Sequence, residues 1–507
     1  MRVVVVGDLA WDGRYHLGDE AMSEVVLQQL QSRGDTVTFI AGNPEVTTRF
    51  YGVAAVPRFG MRDLDRDAQF MLLDTLEGAA SEPGRAPHSA RATLNALRAA
   101  DAVIIAGGGN LNSIGIHHVL ERVAVTRIAR ALDIPLYVTS QTVGPHLRDG
   151  ERELVAEIAR YARVFGVRER NSAALVRGLA PGANVVHTLD DAILLEPAAL
   201  THPLDLPAKY AVASFTFHPK TTALHVDDYY RELAAILDQL ATELDVDVLL
   251  LSHMSTFQTP NTLGGEDDGY GHERIAALSA SGRLRVLPLL PAAELLTITA
   301  GAEFSVSTRY HPLIFGAALG VPAIGIVTSY YSAIRMRGAL ANVGMESFAI
   351  PFEHWRASFA APLIASLRAR LGEFREHLGR TGSASREFQQ RWWAELVASL
   401  HEHRAPRCAD APAAADLSWA DSETQDALAL ARGAQELTNL DRLNALIDTE
   451  LRRQQHDAAC ARIEHLEREL GRLSDAVGDL RHRMRPPGAN LRDALRRRLA
   501  SGRGENG

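Results

Sequence analysis

Short apolar runs alternate with helix-period segments twice along this chain, and that alternation leaves few folds open. Residues 2–6 read as a buried strand, 20–33 as a helix and 36–41 as a second strand, and 102–106, 119–132, 135–140 and 151–162 continue the pattern. Strands apolar on both faces, separated by helices, predict a parallel sheet covered on both sides. Residues 1–197 are expected to form this first unit. A proline-bounded linker at 197–207 precedes a second series, with strands at 210–215, 246–252, 284–288, 303–307 and 322–327. Helices are expected at 226–244, 273–281, 292–300 and 312–319, and a helical stretch at 357–403 closes a second unit spanning 207–403. Two doubly wound domains in tandem put a cleft between the carboxyl ends of two sheets. Residues 59–89, polar and rich in Gly, Pro and charge, are read as an irregular, mobile surface excursion.

The chain continues past these units. Residues 404–418, rich in Ala, Pro and Asp, have linker composition. Beyond them Ile463, Leu466, Leu470, Leu473, Val477, Leu480 and Met484 recur at spacings of three and four, a heptad seam that predicts a coiled coil over 420–485. Leu440, Ile447 and Leu451 follow another register, so the seam is expected to break around 452–462. The alternative is one amphipathic helix packed on its own body. In the basic tail, 486–507, Leu491, Leu495 and Leu499 stripe a run of arginines that could rest on an anionic membrane surface, or fray in solvent.

Charge and cysteine content remove several functions. The net charge of −9 lacks the basic field that general nucleic-acid binding needs. Cys408 and Cys460 are the only cysteines, so neither a disulfide framework nor a cysteine-ligated metal site is expected, and a reducing, cytoplasmic setting fits. The apolar start ends at Gly7 and Asp8 without a cleavage signal, and reads as a first strand, not a signal peptide. The apolar stretch 312–327 is broken by Gly316, Gly320 and Pro322 and falls short of a membrane span. No Walker phosphate loop, dinucleotide fingerprint or His-Glu-x-x-His motif occurs.

The residues with chemistry cluster where strands end. Strand 303–307 runs into Thr308-Arg309-Tyr310-His311, and Pro312 opens a helix, so the loop sits at a helix amino end where anions are favoured. Arg309 offers a carboxylate- or phosphate-binding fork, and His311 a proton exchanger near neutral pH. Gly107-Gly108-Gly109-Asn110 follows strand 102–106 and lets backbone approach a ligand. Leu17-Gly18-Asp19-Glu20 opens a helix, where acidic residues are often only stabilising. Arg168 follows strand 164–167 and could enter the cleft or join a surface ion pair. Asp190 and Asp191 lack the further ligands a metal site needs, and a structural role is as strong a reading.

Taken in order these segments resemble the polysaccharide pyruvyl transferase family. Gly18-Asp19-Glu20-Ala21, Ile105-Ala106-Gly107-Gly108-Gly109-Asn110-Leu111, Ser140-Gln141-Thr142-Val143-Gly144-Pro145, Val167-Arg168-Glu169-Arg170-Asn171-Ser172, Asp190-Asp191-Ala192 and Ser307-Thr308-Arg309-Tyr310-His311 carry the likeness, which covers roughly residues 1–350. One position departs: the family commonly has a Lys a few residues beyond a Tyr, where this chain has Tyr330-Tyr331-Ser332-Ala333-Ile334-Arg335. The resemblance implies two facing Rossmann-like domains in the glycosyltransferase-B arrangement. It implies transfer of a pyruvyl group from phosphoenolpyruvate to sugar hydroxyls of a cell-surface polysaccharide or glycan precursor, giving a ketal, with a saccharide or glycolipid as acceptor and with no cofactor and no metal.

On that reading His311 is the acid/base, and Asp19 or Glu20 orients or deprotonates the acceptor. Arg168, Arg309 and Arg335, with Gly107, Gly108, Gly109 and Ser307, hold the donor's anionic groups. Asn110, Gln141 and Asp191 line the acceptor side or the cleft. Two other functions fit the same architecture: a nucleotide-sugar-dependent glycosyltransferase, and a non-catalytic scaffold acting through its coiled coil. Partners expected are a saccharide acceptor, a second copy through the coil, and peripheral membrane contact through the tail.

Overall fold

The computed structural model describes residues 1–217, 224–256, 267–483 and 494–498. Residues 1–447 form one compact unit, and 448–507 a second. Within the first unit, the valine-rich strand Arg2–Val6 is flanked on one side by Thr36–Ala41 and then Ala54–Pro57. On its other side lie Ala102–Ile105, Leu136–Val143, Val164–Val167 and Val185–His187, all parallel. Chain order reverses between Arg2–Val6 and Ala102–Ile105, so the crevice at this switch point opens beside Gly7, Asp8 and the glycine turn.

A second parallel sheet runs Leu284–Val286, Asp247–Leu250, Tyr210–Ser214, Ser305–Ser307, Ala323–Val327, Ala349–Pro351. Its order reverses between Tyr210–Ser214 and Ser305–Ser307, directly before Arg309. The doubly wound α/β expectation is met in both halves, and the added edge strands Ala54–Pro57, Val185–His187 and Ala349–Pro351 are short ones. A two-stranded antiparallel pair, Tyr15–His16 with Met254–Ser255, stitches the halves together, and Leu17 N donates to His253 O at 2.9 Å.

The excursion expected at 59–89 is corrected. Arg66–Ser81 is a helix, capped by Asp65, whose side chain accepts from Ala68 N at 2.8 Å. Its Leu73, Leu76, Ala79 and Ala80 are buried in the same apolar core as Val4, Val6 and Val123, because the charges fall on the outer face.

The expected ends of the second unit are corrected too. The helix Ala360–His401 begins in the second half's core through Leu363, Ile364 and Leu367, but Trp392, Trp393, Leu396 and Leu400 are buried with Val3, Phe39 and Tyr137 of the first half. Residues 404–418 are no free linker: Ala411 N donates to His187 O, Arg177 pairs with Asp410, and Leu417 N donates to Gly344 O. The helix Ser422–Arg483 starts on the body, where Leu428 and Ala431 are buried and Gln435 donates to Val327 O at 2.8 Å. The expected coil over 420–485 therefore lays its first turns against the second sheet's core.

In the second unit the same helix continues from 448 to 483 and passes 452–462 without interruption. Ile463, Leu466, Leu470 and Leu473 are 46 to 70% exposed along it. Val477 and Leu480 lie where no side chain is described, and of the tail only 494–498, helical with Leu495 exposed, is described; Met484, Leu491 and Leu499 lie outside the described residues. No helix among the described residues is long and apolar enough to cross a membrane.

Trp393 ties the closing helix to the first half by packing and by its indole N–H, which donates to Asp191 Oδ1 at 2.7 Å. Trp393→Ala is expected to cost about 3–5 kcal/mol of stability, against about 0.5 kcal/mol or less for the exposed Arg391→Ala, as read from denaturant midpoints. Equal midpoints for the two variants would refute the bridging role.

Candidate active site

His311 is the first residue of the helix His311–Leu319, fixed there by Pro312. It meets the start of a second helix, Leu17–Gln31: a Cβ added at Gly18 would overlap the His311 ring. Only glycine at 18 lets the two helix amino ends approach this closely. Two helix dipoles thus present their positive ends around one imidazole, a setting that favours an anion. His311 Nε2 lies 3.6 Å from Asp190 Oδ2, and its ring stands edge-on to Tyr310 at 5.2 Å.

Asp190 is buried and held. Its Oδ1 accepts from Ala192 N at 2.9 Å as a helix cap, and its Oδ2 accepts from Arg168 Nη1 at 2.7 Å. Burial alone would raise its pKa, but Arg168 and His311 outweigh that and keep it at about 2. Arg168, 1% exposed, also donates through Nε to Thr142 Oγ1 at 2.8 Å and lies 4.3 Å over the Tyr310 ring. Arg335 stacks 3.9 Å over Tyr331 and 5.4 Å from Tyr310. Among the described residues no carboxylate stands at ion-pair distance from it, although buried Glu169 feels its charge, and its buried Nε finds no hydrogen-bond partner.

The three groups meet over the glycine turn. The point a Cβ would occupy on Gly109 lies 2.6 Å from the Tyr331 hydroxyl, 2.8 Å from Arg335 Nη1 and 3.4 Å from Arg168 Nη2. The Tyr331 hydroxyl donates to Gly109 O. Gly109 therefore serves close approach by two guanidiniums, as the glycine turn suggested, whereas Gly107 serves packing against Met22. Gly108 lies beside Asp8 and Gln141.

Several expected site residues are placed elsewhere. Arg309 does not join Arg168 and Arg335: it pairs with buried Asp268, whose Oδ2 accepts from His253 N and Met254 N at 2.9 and 3.0 Å. Burial, and then Arg309, hold neighbouring His253 well below the usual imidazole range. Ser307 is fully buried; its hydroxyl donates to Ser214 O and accepts from Arg309 N, shaping the loop and offering nothing to an anion. Gln141 is fully buried and donates to Ala106 O, at a bulge where Ser140 takes a left-handed φ of 44°. Asn110 donates to Asp8 Oδ2 at 2.6 Å, joining a buried cluster in which Arg58 and Arg122 hold Asp8 well below the usual carboxylate range against its burial.

Asp191 is corrected outright. Fully buried, it accepts from Gln389 and Trp393, and burial raises its carboxyl to about 6; its neighbour Asp190 faces His311 instead. Glu20 is likewise turned from His311: it accepts from Ala10 N at 2.9 Å and from the Tyr51 hydroxyl, and burial raises it to about 7. Asp19, 19% exposed beside His16 at 3.5 Å, stays with the cleft and acts electrostatically on Tyr331. Tyr310 and Tyr331, which the sequence reading left out, frame the arginines; their signal lay in the spacing to Arg309 and Arg335. Among the described residues no three His, Cys, Asp or Glu side chains gather as a metal site.

A family model described as "Polysaccharide pyruvyl transferase" matches residues 16–330. No curated protein matches the chain. Solved structures similar to it include a protein described as a UDP-N-acetylglucosamine 2-epimerase from Listeria monocytogenes, at 11% identity over 82% of this chain and 99% of that one, with a TM-score of 0.51. A UDP-GlcNAc 2-epimerase from Neisseria meningitidis bound to UDP-GlcNAc is 11% identical over 80% and 100%, at 0.49. Anabaena HepE, solved with UDP and glucose, is 12% identical over 79% and 100%, at 0.47. At such identity the Listeria match speaks to the two-sheet fold alone.

The buried carboxyls set a pH signature. A carboxyl raised by folding stabilises the fold while protonated, so the contributions of Glu20 and Asp191 are present below about pH 4 and are lost as pH rises through about 6 to 7. Asp190 has the opposite sign: its contribution is present above about pH 4 and is lost as pH falls toward about 2. His117, His187, His253 and His272, held below the usual imidazole range by burial, also have the opposite sign to Glu20 and Asp191 and add stability as pH rises toward about 6.5, so the carboxyl contribution is read from the difference between wild type and a variant. Glu20→Gln, uncharged throughout, is expected to gain stability relative to wild type between about pH 4.5 and 7 in denaturant titrations; a difference constant with pH would contradict the burial assigned to Glu20.

Proposed function

From the premise that the chain belongs to the polysaccharide pyruvyl transferase family, and is a transferase of the polysaccharide-modifying kind, we propose that it moves a pyruvyl group from phosphoenolpyruvate to two hydroxyls of one sugar, leaving a cyclic ketal. The observation that carries this reading is Arg335, without a carboxylate partner among the described residues, beside Arg168 over Gly109. A donor with a carboxylate and a phosphate needs such fixed positive charge.

In this scheme the donor's methylene carbon takes a proton, its central carbon becomes electrophilic, and a sugar hydroxyl attacks it. Phosphate leaves and a second hydroxyl closes the ring. Of the two hydroxyl protons given up, one balances that on the new methyl carbon and the other leaves with phosphate. His311 is the acid/base, with the Asp190 carboxylate facing its Nε2 at 3.6 Å. Asp19 remains the second carboxylate of the cleft, suited to orienting the acceptor; Glu20 does not. Arg168, tied to Asp190, fixes the floor, and Arg335 with the helix amino ends receives the departing phosphate.

The test is phosphate release from phosphoenolpyruvate with a panel of cell-surface glycan fragments. His311→Ala is expected to lower kcat by about 10²–10⁴-fold, and Arg335→Ala to raise the phosphoenolpyruvate KM by about ten- to hundredfold. Acceptor-dependent release that survives both substitutions would sink the reading. Release of UDP or GDP from a sugar nucleotide, with none from phosphoenolpyruvate, would replace it with sugar transfer.

The heptad seam points to self-association, since four large apolar side chains at three–four spacing stand exposed along the second unit's helix. Deleting residues 448–507 is expected to convert an oligomer to a monomer in light scattering while phosphate release persists. A monomeric full-length chain would refute the coil as an oligomerisation element.

A further inference from the structure

The residue displaced from the reacting centre, Glu20, opens a second question, because it lines a cavity of about 330 Å³. The cavity sits where strand Thr36–Ala41 ends, on the same carboxyl edge of the sheet as Arg168. Two ladder steps separate that strand from Ala102–Ile105, which leads into the glycine turn, roughly 10 Å at the usual strand spacing. None of its lining residues belongs to the cluster over Gly109, so the two spaces are distinct, and the helix Leu17–Gln31 joins them, with Gly18 against His311 and Glu20 in the cavity.

Its walls have a divided chemistry. Tyr15, Phe50 and Tyr51 form an aromatic face, with ring centroids 5.7 Å apart for Tyr15 and Phe50 and 5.1 Å for Phe50 and Tyr51. Phe50 is 44% exposed, so one face of its ring is open to the cavity mouth. Glu20, Asn43 and Arg49 supply polar groups. Asn43 Oδ1 is committed to capping the helix Pro44–Tyr51, which leaves its amide N–H donors for a ligand. Tyr51 and Glu20 are bonded to each other, so the aromatic face and the carboxyl form one rigid wall.

An apolar stacking face opposite a few fixed hydrogen-bonding groups suits a sugar ring, whose C–H faces are apolar and whose rim is hydroxyls. We propose that this cavity is a distal acceptor subsite that takes one sugar unit of the acceptor chain, remote from the hydroxyls that react beside His311, with Phe50 as its stacking platform. The proposal rests on the pyruvyl-transfer reading of the cleft only for the direction of the chain. Remote contacts of this kind reward long acceptors over short ones, since binding energy from non-reacting units is what a polymer-modifying enzyme can use and a small acceptor cannot supply.

The test measures binding alone. Calorimetry on the full chain without phosphoenolpyruvate compares two-, four- and six-unit oligosaccharides of the malto, chito and galacto series. Wild type is expected to bind at least one series with affinity rising with length, and Phe50→Ala to weaken its longer members by about threefold to tenfold. The same variant should leave the shortest member and phosphoenolpyruvate bound as in wild type, with an unchanged circular dichroism spectrum as the check that it folds. Glu20→Gln, similar in shape, checks the polar wall through the same length dependence. Equal affinities of wild type and Phe50→Ala for every length, equal weakening at all lengths, or no binding of any series by wild type would overturn the subsite. Failure of phosphate release would leave a length effect standing, and loss of the length effect would leave phosphate release standing, so the two readings fail separately.

Discussion

The buried pair of Arg168 and Asp190 is the interaction on which the site depends. Neither group could stay charged at about 1% exposure alone, and removing one would strand the other at a cost of about 3–5 kcal/mol. The pair persists because its other polar atoms are largely partnered, Glu169 Oε1 included, 3.3 Å from the guanidinium Nε. Ala192 N caps one carboxylate oxygen, Thr142 receives the guanidinium Nε, and Tyr310 lies under its plane. Tyr310 and His311 come from the second half of the chain, so the pair at the end of the first sheet also sets where the second half's helix amino end must dock.

That docking is reinforced twice over. Gly18 removes the side chain that would push His311 away, and the strand pair of Tyr15–His16 with Met254–Ser255 fixes the register of the approach. On the far side, the helix Ala360–His401 starts in one core and ends in the other, where Gln389 and Trp393 consume Asp191. Adjacent aspartates thus serve opposite ends of the same requirement, one facing His311 and one locking the closing helix.

Much of this was legible in the sequence. Alternating apolar runs foretold both parallel sheets, and Pro312 after His311 foretold a helix start aimed at the cleft. What was not legible turned on side-chain direction. Composition hid the helix Arg66–Ser81, because its charges are outward and its cap, Asp65, is a single residue. Asp190 and Asp191 are chemically identical in sequence; only the turn that makes Asp190 a cap decides which enters the cleft. Glu20 sits two residues past Gly18 on one helix, and a helix turns through about 200° over that step, enough to carry it into another cavity. Arg309 looked like part of the anion clamp because nothing nearby in sequence announces Asp268, some forty residues upstream.

Arg335 shows why the departure from the family's lysine fits this particular frame. An ammonium is a point charge that gains little from a ring it cannot lie flat against, whereas a guanidinium stacks on aromatic faces and keeps its donor edge free. Here the plane lies over Tyr331, with Tyr310 nearby, and one terminal nitrogen reaches the open space above Gly109. Tyr331 is itself held by its bond to Gly109 O, so the glycine turn of one sheet positions the cation of the other half. The positive charge is therefore oriented by packing on two tyrosine rings, with no carboxylate bonded to it among the described residues.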